Sequence, residues 1–142
     1  ELSEAQLRMR LARRQFDPGT IDDAVTRLRH ERALDDERVA LACASTEVRI
    51  RQRGRLRILR QIESMGIARD IARAAVEEVF GQLDESMLLE QALDRRLRRG
   101  APLEEPSGAR RVYRYLIAQG FQPDRVSAAL QSRIKNHQSA VR

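Results

Sequence analysis

The same apolar spacing returns three times along the chain, and this repetition limits the fold more than any other feature. Phe16, Ile67 and Phe121 can be laid on one another as anchors. Leu7, Ile58 and Val112 then fall nine residues before them, and Leu11, Ile62 and Leu116 five before. Four or five residues after the anchors come Ile21, Ile71 and Val126, and one turn later Val25, Ala75 and Leu130. Apolar residues at this spacing line one face of a helix, so each copy reads as helix, tight turn, helix. Gly66 and Gly120 directly precede their anchors, where the first copy has Gln15. A glycine at that place supplies the positive φ that ends many helices.

A third helix follows in the first two copies. Leu34-Asp35-Asp36 and Leu83-Asp84-Glu85 lie 49 residues apart, with Val39 and Leu88 five residues past each Leu. Asp35 and Asp84 suit N-caps, because a short carboxylate accepts a free amide and its charge suits that end of the helix dipole. The spacing predicts helices near 3–14, 20–33, 35–53, 55–65, 68–81, 84–99, 107–119 and 123–136, with Gly54 ending the third. Gly100-Ala101-Pro102-Leu103-Glu104-Glu105-Pro106 is the clearest loop. The chain thus divides into three-helix repeats at 1–53 and 54–105 and a partial third at 106–142. A short helix pair buries too little surface by itself. The expected fold is therefore all-α, with tandem three-helix repeats stacked into an elongated, curved array.

Composition agrees with helices. Of 142 residues 42% are hydrophobic and only 4% aromatic, with no tryptophan, so the core must come from Leu, Ile, Val and Ala. Cys43 is the only cysteine and lies in the run from Val39 to Ala44, which reads as a small core residue in a reducing, cytoplasmic setting. No apolar stretch approaches the ~18 residues that span a membrane. The chain opens on Glu1 rather than methionine, which implies residues upstream.

Charge is more informative than its total of +6. Lysine and arginine number 27, and all but Lys135 are arginine, a bias that reads mainly as genomic codon usage, with the choice of Arg for phosphate forks a weaker explanation. Arg49, Arg51, Arg53, Arg55, Arg57 and Arg60 crowd one short stretch, and Arg95, Arg96, Arg98, Arg99, Arg110, Arg111 and Arg114 another. Residues 17–37 instead hold seven acids against three arginines. Taken singly, each arginine could be part of a solvated face. Taken together, the two clusters have few carboxylates nearby to neutralise them, which favours phosphate contact. Arg49 and Arg53 are spaced to share a helix face, as are Arg110 and Arg114. The candidate contacts are Arg49, Arg53, Arg57, Arg60, Arg96, Arg99, Arg110, Arg111 and Arg114. The acidic stretch would meet basic patches on a protein partner, or merely cap helices. Tyr113 lies near the Val112–Leu116 stripe and reads as packing, while Tyr115 is left open for stacking on bases.

Catalysis has little support. His30 and His137 have no metal-ligand spacing to Cys43, and Lys135 lacks a glycine-rich lead-in. Asp35, Asp36 and Glu37 could be imagined as a nuclease metal cluster, but consecutive helical residues diverge and capping is simpler. Neither an enzyme nor a cofactor is expected.

Several short motifs, in order, resemble the RecX family over nearly the whole chain. They are Leu34-Asp35-Asp36, Gly54 with Arg57-Ile58-Leu59-Arg60-Gln61, Met65-Gly66-Ile67, Arg99-Gly100-Ala101-Pro102-Leu103, and Tyr115 through Gly120-Phe121. The chain departs from the family at Arg32-Ala33, where Gly-Tyr is usual, at Val39 for an aromatic, at Met65 for a lysine and at Gln61 for a glutamate. The resemblance implies a regulator of the RecA recombinase in DNA repair, homologous recombination and the SOS response. Such a protein binds the RecA–DNA filament and dampens its growth, ATP hydrolysis and strand exchange. Together with the arginine clusters this gives the expected partners: the RecA filament and DNA, single-stranded and bound without sequence preference, with no membrane, the chain itself being a monomer. Two other classes share these features: a helix-turn-helix repressor, which needs an exposed recognition helix, and a helical scaffold whose arginines only solubilise.

Overall fold

Capping side chains set half of the helix starts in the computed structural model, which describes residues 1–100 and 102–141. Among the described residues there are eight helices and no strand. They are α1 (Glu4–Arg13), α2 (Pro18–His30), α3 (Asp36–Arg49), α4 (Arg55–Ser64), α5 (Arg69–Phe80), α6 (Glu85–Leu97), α7 (Pro106–Ala118) and α8 (Pro123–Val141). The all-helical expectation holds. Ala101, within the expected loop and one of the motifs, lies outside the described residues.

Ser3 and Gln6 form a reciprocal capping box at α1. Asp84 accepts the amides of Ser86 and Met87 at α6. Asp35 accepts the amide of Arg38 at 3.1 Å, as its position predicts. Several boundaries differ from expectation: α8, for one, runs to Val141 rather than ending near 136, and α2 ends at His30 rather than near 33. α2 starts at Pro18 rather than 20, because Asp17 accepts the Thr20 amide at 3.0 Å and proline suits the first helical position. α3 stops at Arg49, and Gln52 then takes a left-handed φ of 51°. Gly54 is therefore not the residue that ends α3.

The three copies share their turn. Gln15, Gly66 and Gly120 all have positive φ, at 66°, 78° and 100°. In the first copy the Phe16 amide donates to the Leu11 carbonyl and Gln15 to Ala12; in the third, Phe121 donates to Leu116 and Gly120 to Ile117. These paired bonds form the Schellman ending, which satisfies carbonyls left over at the helix end.

Two compact bodies make up the chain. The first comprises residues 1–45 and 59–81, the second 46–58 and 82–142, so α3 and α4 are each divided between them. In the first body Ile21, Val25 and Leu34 form a core cluster, flanked by Leu7, Leu11 and Leu28. The Gly66 turn is seated on α1: a Cβ on Gly66 would lie 2.4 Å from that of Ala5. Asp36 reaches back to the same region and accepts the Glu4 amide at 2.9 Å, so it caps α1 rather than its own helix.

The second body packs α6, α7 and α8 together around the buried Leu93, Val112, Leu116 and Val126. Here the Gly120 turn is seated on the start of α4. Gly54 donates its amide to the Gln119 carbonyl at 2.8 Å, and Leu56 donates to the Gly120 carbonyl at 3.1 Å. A Cβ on Gly54 would come 2.5 Å from the Gly120 carbonyl carbon, and one on Gly120 2.4 Å from the Arg57 nitrogen. Each body thus holds one turn pressed onto the first helix of the copy before it. The first copy's turn has its anchor open: Phe16 is 49% exposed, against 4% for Ile67 and 6% for Phe121.

Candidate nucleic-acid interface

The division into bodies also divides the charge. The second body carries sixteen cationic side chains against eight acids, the first eleven against thirteen. The excess positive charge of the protein therefore belongs to the second body.

Its arginines fall into two classes. The first class is tied down. Glu47 is a buried carboxylate, 4% exposed, and Arg53 donates to it at 2.5 Å while Arg51 lies 3.6 Å away. Taking a carboxylate out of water is costly unless cations and hydrogen bonds answer it, and these guanidiniums do so. Because α3 has already ended, Arg53 does not share a helix face with Arg49, contrary to expectation. Arg57 donates to the Ala118 carbonyl at 3.1 Å, satisfying an acceptor at the end of α7. Glu85 holds Arg55 at 2.8 Å and Arg125 at 3.3 Å. Arg133 on α8 reaches Glu90 and Asp94 on α6. Burial lowers the pKa of Arg133, and the two carboxylates outweigh that and raise it.

The second class is exposed and has no carboxylate partner among the described residues: Arg49, Arg95, Arg98, Arg99, Arg110, Arg111 and Arg114. Arg95 lies on the last turn of α6, Arg98 and Arg99 directly follow it, and Arg110, Arg111 and Arg114 lie on α7, which packs against α6. The Arg96 guanidinium carbon lies 5.5 Å from the centre of the Tyr115 ring. This cation–π contact ties the last turn of α6 to α7. Arg111 is one turn before Tyr115, and Arg110 and Arg114 are one turn apart on α7. The result is a cationic hairpin whose charges are left to solvent. Several of its arginines also oppose the negative end of the α6 dipole.

The nine candidate arginines are therefore not one group. Arg96 lies on the last turn of α6, Arg99 just beyond it, and Arg110, Arg111 and Arg114 on α7, which packs against α6. Arg49, Arg53 and Arg57 flank the break between α3 and α4, with Arg53 and Arg57 engaged in the fold. Arg60 belongs to the first body. Tyr115, left open for base stacking in the sequence, has one face covered by Arg96; Tyr113 is half-buried. Sequence reasoning misses Glu47, although it is the only acid among five arginines in residues 46–58. Cys43 is half-buried rather than fully enclosed. Asp35 and Asp36 point at the amides of two different helices, which removes the reason to read them as a metal cluster. No helix among the described residues is long and apolar enough to cross a membrane.

Known proteins resemble this chain over most of its length. No protein-family model matches it. The regulatory protein RecX of Syntrophotalea carbinolica is 30% identical over 128 residues, which is 85% of this chain and 80% of the relative. That of Halorhodospira halophila is 28% identical over 129 residues, covering 91% of this chain and 78% of the relative. A crystal structure of regulatory protein RecX superposes with a TM-score of 0.77 at 17% identity, over 92% of this chain. The chain spans 64% of the length of that structure. RecX from Lactobacillus salivarius superposes with a TM-score of 0.71 at 14% identity, over 92% of this chain and 84% of its own. The repeated turn, the capped Leu-Asp-Asp helix and these similarities together place the chain in the RecX family.

Proposed function

We propose that the chain regulates the RecA recombinase by binding its filament on DNA, with the α6–α7 hairpin facing the phosphates. The observation that carries this reading is the set of exposed arginines without carboxylate partners on that hairpin, in a member of the RecX family. Phosphate contact releases counterions and does not read bases, so the binding is indifferent to sequence. A regulator of this kind needs no chemistry of its own. It needs only to favour one state of the filament over another by differential contact. Arg96, Arg99, Arg110, Arg111 and Arg114 are the proposed DNA contacts, with Arg49 and Arg60 as exposed additions. Arg53 and Arg57 serve the fold first. The three-helix copies are proposed as the periodic unit of a monomeric protein.

The test is to add the purified protein to RecA, single-stranded DNA and ATP and to follow hydrolysis and filament length. Hydrolysis should fall at substoichiometric protein. Unchanged hydrolysis at equimolar protein across several salt concentrations would refute the reading. A strong preference for one DNA sequence would favour the repressor class instead.

A further inference from the structure

In the first body, α3 and α5 frame a groove of about 530 Å³. Its apolar lining includes Leu41 and Ile71, both half-buried, and the exposed Ala74. Glu37 on α3 and Asp70 and Glu78 on α5 also line it; all three are exposed and have no cationic partner among the described residues. One guanidinium reaches the lining, that of Arg38, and it is engaged elsewhere. It donates to Glu1 at 3.2 Å and to the Arg32 carbonyl at 3.2 Å. Asp35, at one end, is occupied with the Arg38 amide.

Both walls thus present carboxylates to the same space, in a protein whose net charge is +6. Phosphate would be repelled here, which separates this surface from the cationic hairpin. Asp70 and Glu78 are eight residues apart on one helix, about 12 Å along its axis. Between them Ile71 and Ala74 offer apolar surface that is still partly wet.

We propose that this groove is a docking site for a cationic segment of a protein partner, one carrying Arg or Lys side chains about two helical turns apart and an aliphatic side chain between them. The carboxylates pair with the cations, and Leu41 and Ile71 receive the aliphatic group. Charge complementarity supplies orientation and on-rate, and the apolar floor supplies residence. This goes beyond the reading of the hairpin and does not depend on it.

The test uses the full chain and a labelled helical peptide with a leucine between two lysines spaced two turns apart, followed by fluorescence anisotropy. Binding is expected to weaken roughly tenfold with Glu37→Lys, Asp70→Lys and Glu78→Lys combined, a loss on the scale of a few charge pairs. Ala74→Arg, which fills the exposed floor, should weaken it too, and neither variant should change melting. Replacing the peptide leucine by serine should weaken binding at least fivefold. The proposal is overturned if the triple variant binds the wild-type peptide equally well, or if the serine peptide binds as tightly as the leucine one. It is also overturned if the groove variants abolish a concentration-dependent self-association of the chain, since the occupant would then be a second copy.

Discussion

Glycine at position 120 answers two demands at once, and three other glycines let them be separated. Gly100 has a φ of 84° with nothing within 4 Å of an added Cβ, so Gly100→Ala meets backbone strain alone. That strain costs about 1 kcal/mol for an alanine. Gly54 is not in the left-handed region, but its Cβ would sit 2.5 Å from the Gly120 carbonyl carbon. Main chain cannot rotate aside as a side chain can, so Gly54→Ala should cost about 2 kcal/mol as overpacking. Gly120→Ala combines a φ of 100° with a Cβ 2.4 Å from the Arg57 nitrogen and 2.8 Å from the Gly54 oxygen. It also disturbs the bonds from Gly54 to Gln119 and from Leu56 to Gly120. Its cost should be about 3–4 kcal/mol, the sum of strain and overpacking. For 142 residues melting together, 1 kcal/mol corresponds to roughly 3 °C in Tm. Gly120→Ala should then melt ~10 °C lower and Gly100→Ala only ~3 °C lower by circular dichroism. If the two melt together, the close seating of this turn on α4 is wrong. Gly66→Ala offers an internal check, because its clash is with the Ala5 Cβ. Ala5→Gly should recover the steric part of that loss and leave the φ strain.

Glu47→Ala should destabilise by about 2–4 kcal/mol in urea titration, because it strands the half-buried Arg53 guanidinium; the double variant with Arg53→Ala should lose less than the two single losses added. Burial raises the Glu4 carboxyl, but Arg29 and Arg8 outweigh it and hold its pKa below 4.5. A depressed acid contributes stability that is complete above its unfolded value and lost as pH falls through the folded one. Melting temperature should therefore drop on acidification below 4.5, and Glu4→Gln should flatten that drop; an unaltered acid limb would exclude the Glu4 pairs as its source. Single-stranded DNA affinity should fall with salt at a log–log slope of roughly −3 to −4 if about five arginines meet phosphates. Arg110→Glu with Arg111→Glu and Arg114→Glu should flatten this slope for every sequence alike; an unchanged slope would take α7 out of the interface.

The legibility of this chain follows from where its constraints are local. Helix positions can be read because apolar spacing and a capping residue act within a few residues, as at Asp84 and its two amides. Positive φ at Gly66 and Gly120 is readable for the same reason. Apolar spacing places the start of α2 too late, because the Asp17–Pro18 pair that opens the helix lies outside the apolar stripe. The role of Gly54 is hidden because its partner is 66 residues away, and no local pattern distinguishes a glycine that ends a helix from one that admits a distant turn. The arginine clusters fail in a related way. Counting charges locates the excess, but Arg53 and Arg57 are held by Glu47 and by the Ala118 carbonyl. Only three-dimensional pairing separates these from Arg110, Arg111 and Arg114.

Under the proposed function, that separation bears on how the chain would act on a filament. A single cationic surface would follow DNA wherever phosphates were accessible, and salt would weaken it everywhere alike. Selecting one state of a protein–DNA assembly requires contact with something that differs between its states. The second body supplies the unneutralised arginines, while the first, with thirteen acids against eleven cations, supplies the carboxylate-lined groove. Two surfaces of opposite sign on one chain allow DNA and protein to be engaged by different residues. Variants of the two surfaces should then fail differently. Charge reversal on α7 should lower DNA affinity and its salt slope, while charge reversal at Glu37, Asp70 and Glu78 should weaken peptide binding without lowering DNA affinity. If either set of changes alters both kinds of binding equally, the two surfaces do not act independently and the division of labour fails.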